Sequence, residues 1–102
     1  MYENASVSDD SRGTIEELRE GIDALDAELL GILSRRLGLC REIGLLKKSS
    51  GMPVYQKARW EEVLSRAVSA APQAGLDPDF VSEVFNTIHE YSKKEQTKII
   101  EQ

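Results

Sequence analysis

Arg36 occupies a place in this 102-residue chain where the surrounding pattern calls for an apolar residue. Ile15, Ile22, Leu29 and Ile43 form one row at heptad spacing, Leu18, Leu25, Ile32, Leu39 and Leu46 form a second, and Arg36 falls on the first. A guanidinium in an apolar seam costs several kcal/mol unless an anionic hydrogen-bonding partner meets it. The plain partner is a buried glutamate such as Glu42 or Glu90, and the sharper one is a carboxylated ligand. Lys47 follows 11 residues later, which on a helix is about 20° around the same face and about 16 Å along it. A forked arginine and a flexible lysine so placed can grip two ends of a small dianion. Complementing the helix C-terminus is the competing role for Lys47.

A second pair lies near the other end of the chain. Val81, Val84, Phe85, Ile88 and Ile99 make a helical apolar stripe in which Ser92 and Gln96 take two of the places. A hydroxyl and an amide at i, i+4 face the same way; satisfying nearby helix carbonyls is the simpler use for them. Arg19 is about 25 Å from Arg36 along one helix, so one small ligand reaches both only if a second, antiparallel helix brings Arg19 near. Alone, Arg19 suits an ion pair with Asp23 or Glu16. Arg59, beside Trp60, is open to either an ion pair or a ligand contact. No catalytic triad, metal-ligand spacing, phosphate loop or cysteine nucleophile accompanies these residues. His89, the only histidine, has no evident base or metal partner. Cations and neutral donors without a nucleophile suit catalysis by positioning and electrostatic stabilisation, with no metal and no cofactor.

Helices must carry these groups. Charged residues make up 30% and aromatics 6%, and length allows one domain, so the expectation is an all-α fold of three helices, the first of them long. Thr14 with Glu17 is a capping-box signature, Asp9 and Asp10 lie upstream, and Ser49, Ser50, Gly51 and Pro53 are a stop signal. The first helix then spans residues 14–48, about 50 Å at about 1.5 Å per residue, far beyond the radius of gyration of about 13 Å for a compact chain of this size. A homodimer with two long helices packed along one another accommodates it. Residues 57–71 form a short second helix through Trp60, Val63, Leu64, Ala67 and Val68, and Asp77-Pro78 starts a third that runs to about Ile100. Residues 1–13 read as a frayed tail ahead of a domain at 14–102.

The net charge of −5 argues against a nucleic-acid binder, so local cations must hold any anion. The N-terminal stretch reads as neither a signal peptide nor a membrane anchor. Cys40, the only cysteine, precludes an internal disulfide and suits a reduced cytoplasmic setting.

At these residues the sequence resembles the all-helical (type II) class of chorismate mutase. The resemblance spans residues 14–100 and rests on Leu-Arg-Glu-Gly-Ile-Asp-Ala-Leu-Asp, Ser-Arg-Arg, Ile-Gly-Leu-Leu-Lys-Lys, the Pro-Val connection with a following arginine, and Ile-His-Glu-Tyr-Ser leading to Gln96. It implies an intertwined antiparallel homodimer that rearranges chorismate, a small dicarboxylate, to prephenate without a cofactor. Arg19 would enter the partner's pocket and bind one carboxylate, and Arg36 would bind the other from its own chain. Lys47 and Gln96 would sit on the ether oxygen, Ser92 would assist at a carboxylate, and Arg59 would lie toward the ring hydroxyl. Gln56 and Trp60 depart from the aspartate and glutamate that many members carry; Gln56 can still bond the hydroxyl, whereas Trp60 cannot stand in for a carboxylate. The departures open two related reactions, isochorismate-pyruvate lyase and 4-amino-4-deoxychorismate mutase. Ser92 favours a mutase over the lyase, and a non-catalytic helical dimer is the rival from outside enzymology.

Overall fold

The computed structural model describes residues 11–102. It is all-helical, with α1 at Ser11–Ser50, α2 at Lys57–Ala70 and α3 at Pro78–Glu101. The three helices, their order and the long first one match the sequence expectation. The chain divides into two compact units, Met1–Arg36 and Leu37–Gln102, and the expected tail over residues 1–10, with Asp9 and Asp10, lies outside the described residues. No helix among the described residues is long and apolar enough to cross a membrane.

The start of α1 corrects the sequence reading. Helix is already formed at Ser11, three residues before the Thr14 capping signature, so Thr14 lies inside the helix. Nothing between Ser11 and Thr14 stops a helix: there is no proline, and Gly13 costs only about 1 kcal/mol relative to alanine. The other end behaves as expected. Gly51 adopts φ 75°, and the Met52 N–H donates to the Lys47 carbonyl at 3.1 Å, a closing bond that needs the left-handed residue glycine supplies most cheaply.

In the first unit, α1 leaves its apolar rows in the open, with Ile22 55% and Leu25 62% exposed. The second unit is the one with buried side chains. Trp60, Val63, Leu64, Ala67 and Val68 of α2 are half-buried in the stripe their spacing predicts, and Ala71 and Val81 are buried beside the turn between α2 and α3. That turn closes with Gly75 N–H to the Pro72 carbonyl and Leu76 N–H to the Ala71 carbonyl, at 3.0 and 2.9 Å. Asp77 then caps α3, its carboxylate accepting from the Asp79 N–H at 2.9 Å, with Pro78 in the first turn.

Candidate active site

Two polar residues of the second unit meet where α3 crosses the last turns of α1. Lys47 Nζ donates to Gln96 Oε1 at 2.9 Å and to the Val54 carbonyl at 2.7 Å. Gln96 Nε2 in turn donates to the Cys40 carbonyl at 2.8 Å. Cys40 O can only accept, so this bond decides which end of the amide faces Lys47. Gly44 lets the helices approach: a Cβ there would stand 3.1 Å from Gln96 Cγ and 3.4 Å from its Cα. Gly44 is buried and Gln96 is only 6% exposed. The apolar stripe of α3 is thus interrupted at Gln96 by an amide whose oxygen and nitrogen are each held by a hydrogen bond.

Hydrogen-bond capacity sets what this pair can do. An ammonium has three N–H bonds and a primary amide two. Val54 O and Gln96 Oε1 take two from Lys47, and Cys40 O takes one from Gln96, so each residue keeps one donor for a ligand. Burial lowers the Lys47 pKa from its ordinary 10.5, with Cys40 acting in the opposite sense. Desolvation of this kind strengthens the field the ammonium exerts on a nearby oxygen. Lys47 thus does more than the competing role of complementing the helix C-terminus, since it makes a specific contact to α3.

Ser92 lies one turn before Gln96 on the same face and is half-buried. None of the remaining predicted residues is hydrogen-bonded to Lys47 or Gln96 among the described contacts. Gln56 precedes α2 as its N-cap in extended conformation and turns its amide onto its own connection, Nε2 donating to the Pro53 carbonyl at 3.2 Å. Arg59 is exposed and pairs with Glu62 at 2.7 Å, the ion-pair alternative of the sequence reading. That contact holds the Glu62 pKa below the ordinary carboxylate value, Arg66 adding to it. Arg19 is exposed, and among the described residues it forms no ion pair with Asp23 or Glu16. Arg36 is half-buried at the end of the first unit.

Four contacts escaped the sequence reading. Trp60 stacks on His89, with ring centroids 3.9 Å apart and planes 9° from parallel, and Tyr55 approaches the same imidazole at 5.9 Å. Lys93, one turn after His89, places Nζ 5.1 Å from the Tyr55 ring centroid. Arg41 reaches Glu95, the neighbour of Gln96. Helical spacing puts Trp60 and His89 on inward faces, which is the signal that was available; their mutual stacking depends on the register of α2 on α3. Among the described residues no group of His, Cys, Asp or Glu is gathered as a metal site.

Comparison with known proteins places these residues in a family context. A family model described as chorismate mutase type II matches residues 18–97, a span that includes Arg19, Arg36, Lys47, Arg59, Ser92 and Gln96. A 3-dehydroquinate dehydratase of Pyrobaculum aerophilum is 44% identical over 57 residues, which are 56% of this chain and 19% of that protein. The bifunctional chorismate mutase/prephenate dehydratase of Escherichia coli K12 is 34% identical over 85 residues, 83% of this chain and 22% of that one. A 4-amino-4-deoxychorismate mutase of Streptomyces venezuelae is 35% identical over 74 residues, 72% of each. The chain spans about a fifth of the length of the first two.

Proposed function

The chain belongs to the chorismate mutase type II family, and from that premise we propose that it rearranges chorismate to prephenate. The reaction is intramolecular: an ether C–O bond breaks as a C–C bond forms, and negative charge grows on the departing oxygen. A protein accelerates such a step by holding the folded conformer and by meeting the growing charge with donors already in place. The observation that carries the reading is the Lys47–Gln96 pair, each partner fixed by its own hydrogen bonds and each with one donor to spare. The mechanism needs no cofactor and no covalent intermediate.

The substrate's two carboxylates need cations besides Lys47. Arg36 binds one from the same chain with Ser92 assisting, and Arg19 binds the other from a second copy. The exposed apolar rows of α1 support that second copy, since Ile15, Leu18, Ile22, Leu25, Leu29 and Ile32 present a face that packs against an identical helix. Arg59 lies toward the ring hydroxyl and leaves Glu62 to do so, and Gln56 serves the same end of the substrate. A chain with one cysteine, Cys40, and so no internal disulfide, accords with action in the cytoplasm.

Purified protein incubated with chorismate tests the reading: prephenate forms above the uncatalysed rate, and its absence would sink the proposal. A second reading, 4-amino-4-deoxychorismate as substrate, has specific support in the likeness to the Streptomyces venezuelae protein and in Trp60, whose indole is committed to the His89 stack. Chorismate, isochorismate and 4-amino-4-deoxychorismate offered side by side separate the readings by their relative kcat/KM.

A further inference from the structure

Glu95 is a carboxylate where the α3 stripe buries its residues, its side chain only 11% exposed. Both of its oxygens are engaged. Oε1 accepts from Arg41 Nε and Nη2 at 3.2 and 3.0 Å, and Oε2 accepts from Lys98 Nζ at 3.3 Å. The Arg41 hydrogen bond, against the opposing effect of burial and with help from Lys98, holds the Glu95 pKa below the ordinary carboxylate value. The carboxylate is therefore ionised at neutral pH, and the pair is an ion pair joining α1 to α3.

The placement of this pair is what gives it a role. Arg41 follows Cys40 directly, and Glu95 precedes Gln96 directly. Two successive residues of α3 thus hold two successive residues of α1: Glu95 takes Arg41, and Gln96 takes the Cys40 carbonyl. Successive helical residues point about 100° apart, so the two contacts act on different sides of the α3 axis. One contact alone leaves a helix free to roll about it, whereas two at separated azimuths fix the roll. Gly44 makes roll consequential, because the backbone of Gln96 rides against it with no Cβ between to act as a stop. Lys98, exposed and on the same helix as Glu95, cannot lock α3 to α1.

We propose that the Arg41–Glu95 pair is a positioning device for the active site, setting the roll of α3 so that Gln96 presents its amide to Lys47. The inference rests on the mutase reading for its kinetic consequence and on geometry for the rest. Arg41 is half-exposed and touches no reacting atom; its effect on catalysis passes through Gln96. A directional pair suits this use, since an apolar contact would hold the helices together without defining their rotation.

The test compares Arg41→Ala and Arg41→Lys with the wild-type full chain, reading helix content, thermal midpoint, kcat and KM for chorismate, and the titration of Lys47 by NMR in lysine-labelled protein. Loss of positioning at a transition-state contact lowers kcat by about tenfold in Arg41→Ala with KM within about twofold. In the same variant the Lys47 pKa moves up toward 10.5 as water enters beside it, and Arg41→Lys recovers part of both. A folded Arg41→Ala protein with wild-type kcat and wild-type Lys47 titration would overturn the proposal. So would a kcat loss that follows the folded fraction while Lys47 titrates as before. If Arg41→Ala does not fold, Glu95→Ala, which removes the oxygen that accepts both Arg41 hydrogen bonds, is read in the same way. Should the wild type fail to convert chorismate, the mutase reading falls, and the Lys47 titration alone still decides whether the pair positions the site.

Discussion

In the unit Leu37–Gln102, Glu95 and Gln96 are buried and each is hydrogen-bonded across to α1, while in the first unit Ile22 and Leu25 stand more than half exposed. Polar residues are inside where apolar ones are expected, and apolar residues are outside. The two anomalies have different causes. Gln96 is buried with a partner at each end of its amide, so most of its desolvation is offset locally. The α1 rows have no such account within one chain: an exposed helix draws little stability from propensity alone and depends on packing of its apolar face. One region carries polar side chains satisfied by its own chain, and the other carries the exposed apolar rows on which the proposed second copy would pack.

That contrast can be broken from either side. The largest effect is expected inside the second unit: Lys47→Ala removes a transition-state donor and lowers kcat by about 10²–10³-fold, with helix content by circular dichroism unchanged. A loss smaller than about tenfold would take Lys47 out of the chemistry. Next comes Leu25→Asp on the first unit, which sets a carboxylate on the α1 row and costs several kcal/mol if that row is buried against another copy. Sedimentation should show wild-type protein as a dimer and the variant as a monomer with a lower thermal midpoint; unchanged mass and midpoint would mean the row faces solvent in use. The smallest effect is one of pH. Lys47 has a folded pKa below 10.5, so the alkaline limb of kcat/KM, which reports the free enzyme, falls at a pH below that value. Stability moves the other way over the same window, because the unfolded chain there binds the proton more tightly and loses ground as pH rises. An alkaline limb at or above 10.5 would contradict the burial of Lys47.

Much of this arrangement was legible in the residues. Helical spacing located all three helices, the α2 stripe from Trp60 to Val68 faces inward as expected, and the two polar residues in the α3 stripe pointed to Gln96 before any contact was known. Lys47 was identified by its face on α1. The signals that failed share a physical reason. The capping pair at Thr14 marks a possible start, but a helix extends past such a signal when the residues before it are tolerated, as Ser11–Gly13 are. The Arg41–Glu95 pair joins residues far apart in sequence, and an arginine on a polar helix face reads as solvated until the crossing of α1 and α3 is known. Glu95 likewise reads as an ordinary charged neighbour of Gln96. Arg59 was open between an ion pair and a ligand contact, and Gln56 was chosen by resemblance; each makes a local contact, Arg59 with Glu62 and Gln56 with the Pro53 carbonyl.

The claim that two copies build each site is tested most directly by complementation between defective chains. Arg19→Ala and Lys47→Ala, each inactive alone, are unfolded together and refolded as a mixture, and prephenate formation is measured. If Arg19 of one copy serves the site that contains Lys47 of the other, heterodimers hold one site with both residues intact. Random pairing makes half of the dimers mixed, so the mixture recovers about a quarter of wild-type activity. A mixture as inactive as its components, beside a wild-type control that refolds to full activity, would contradict the shared site.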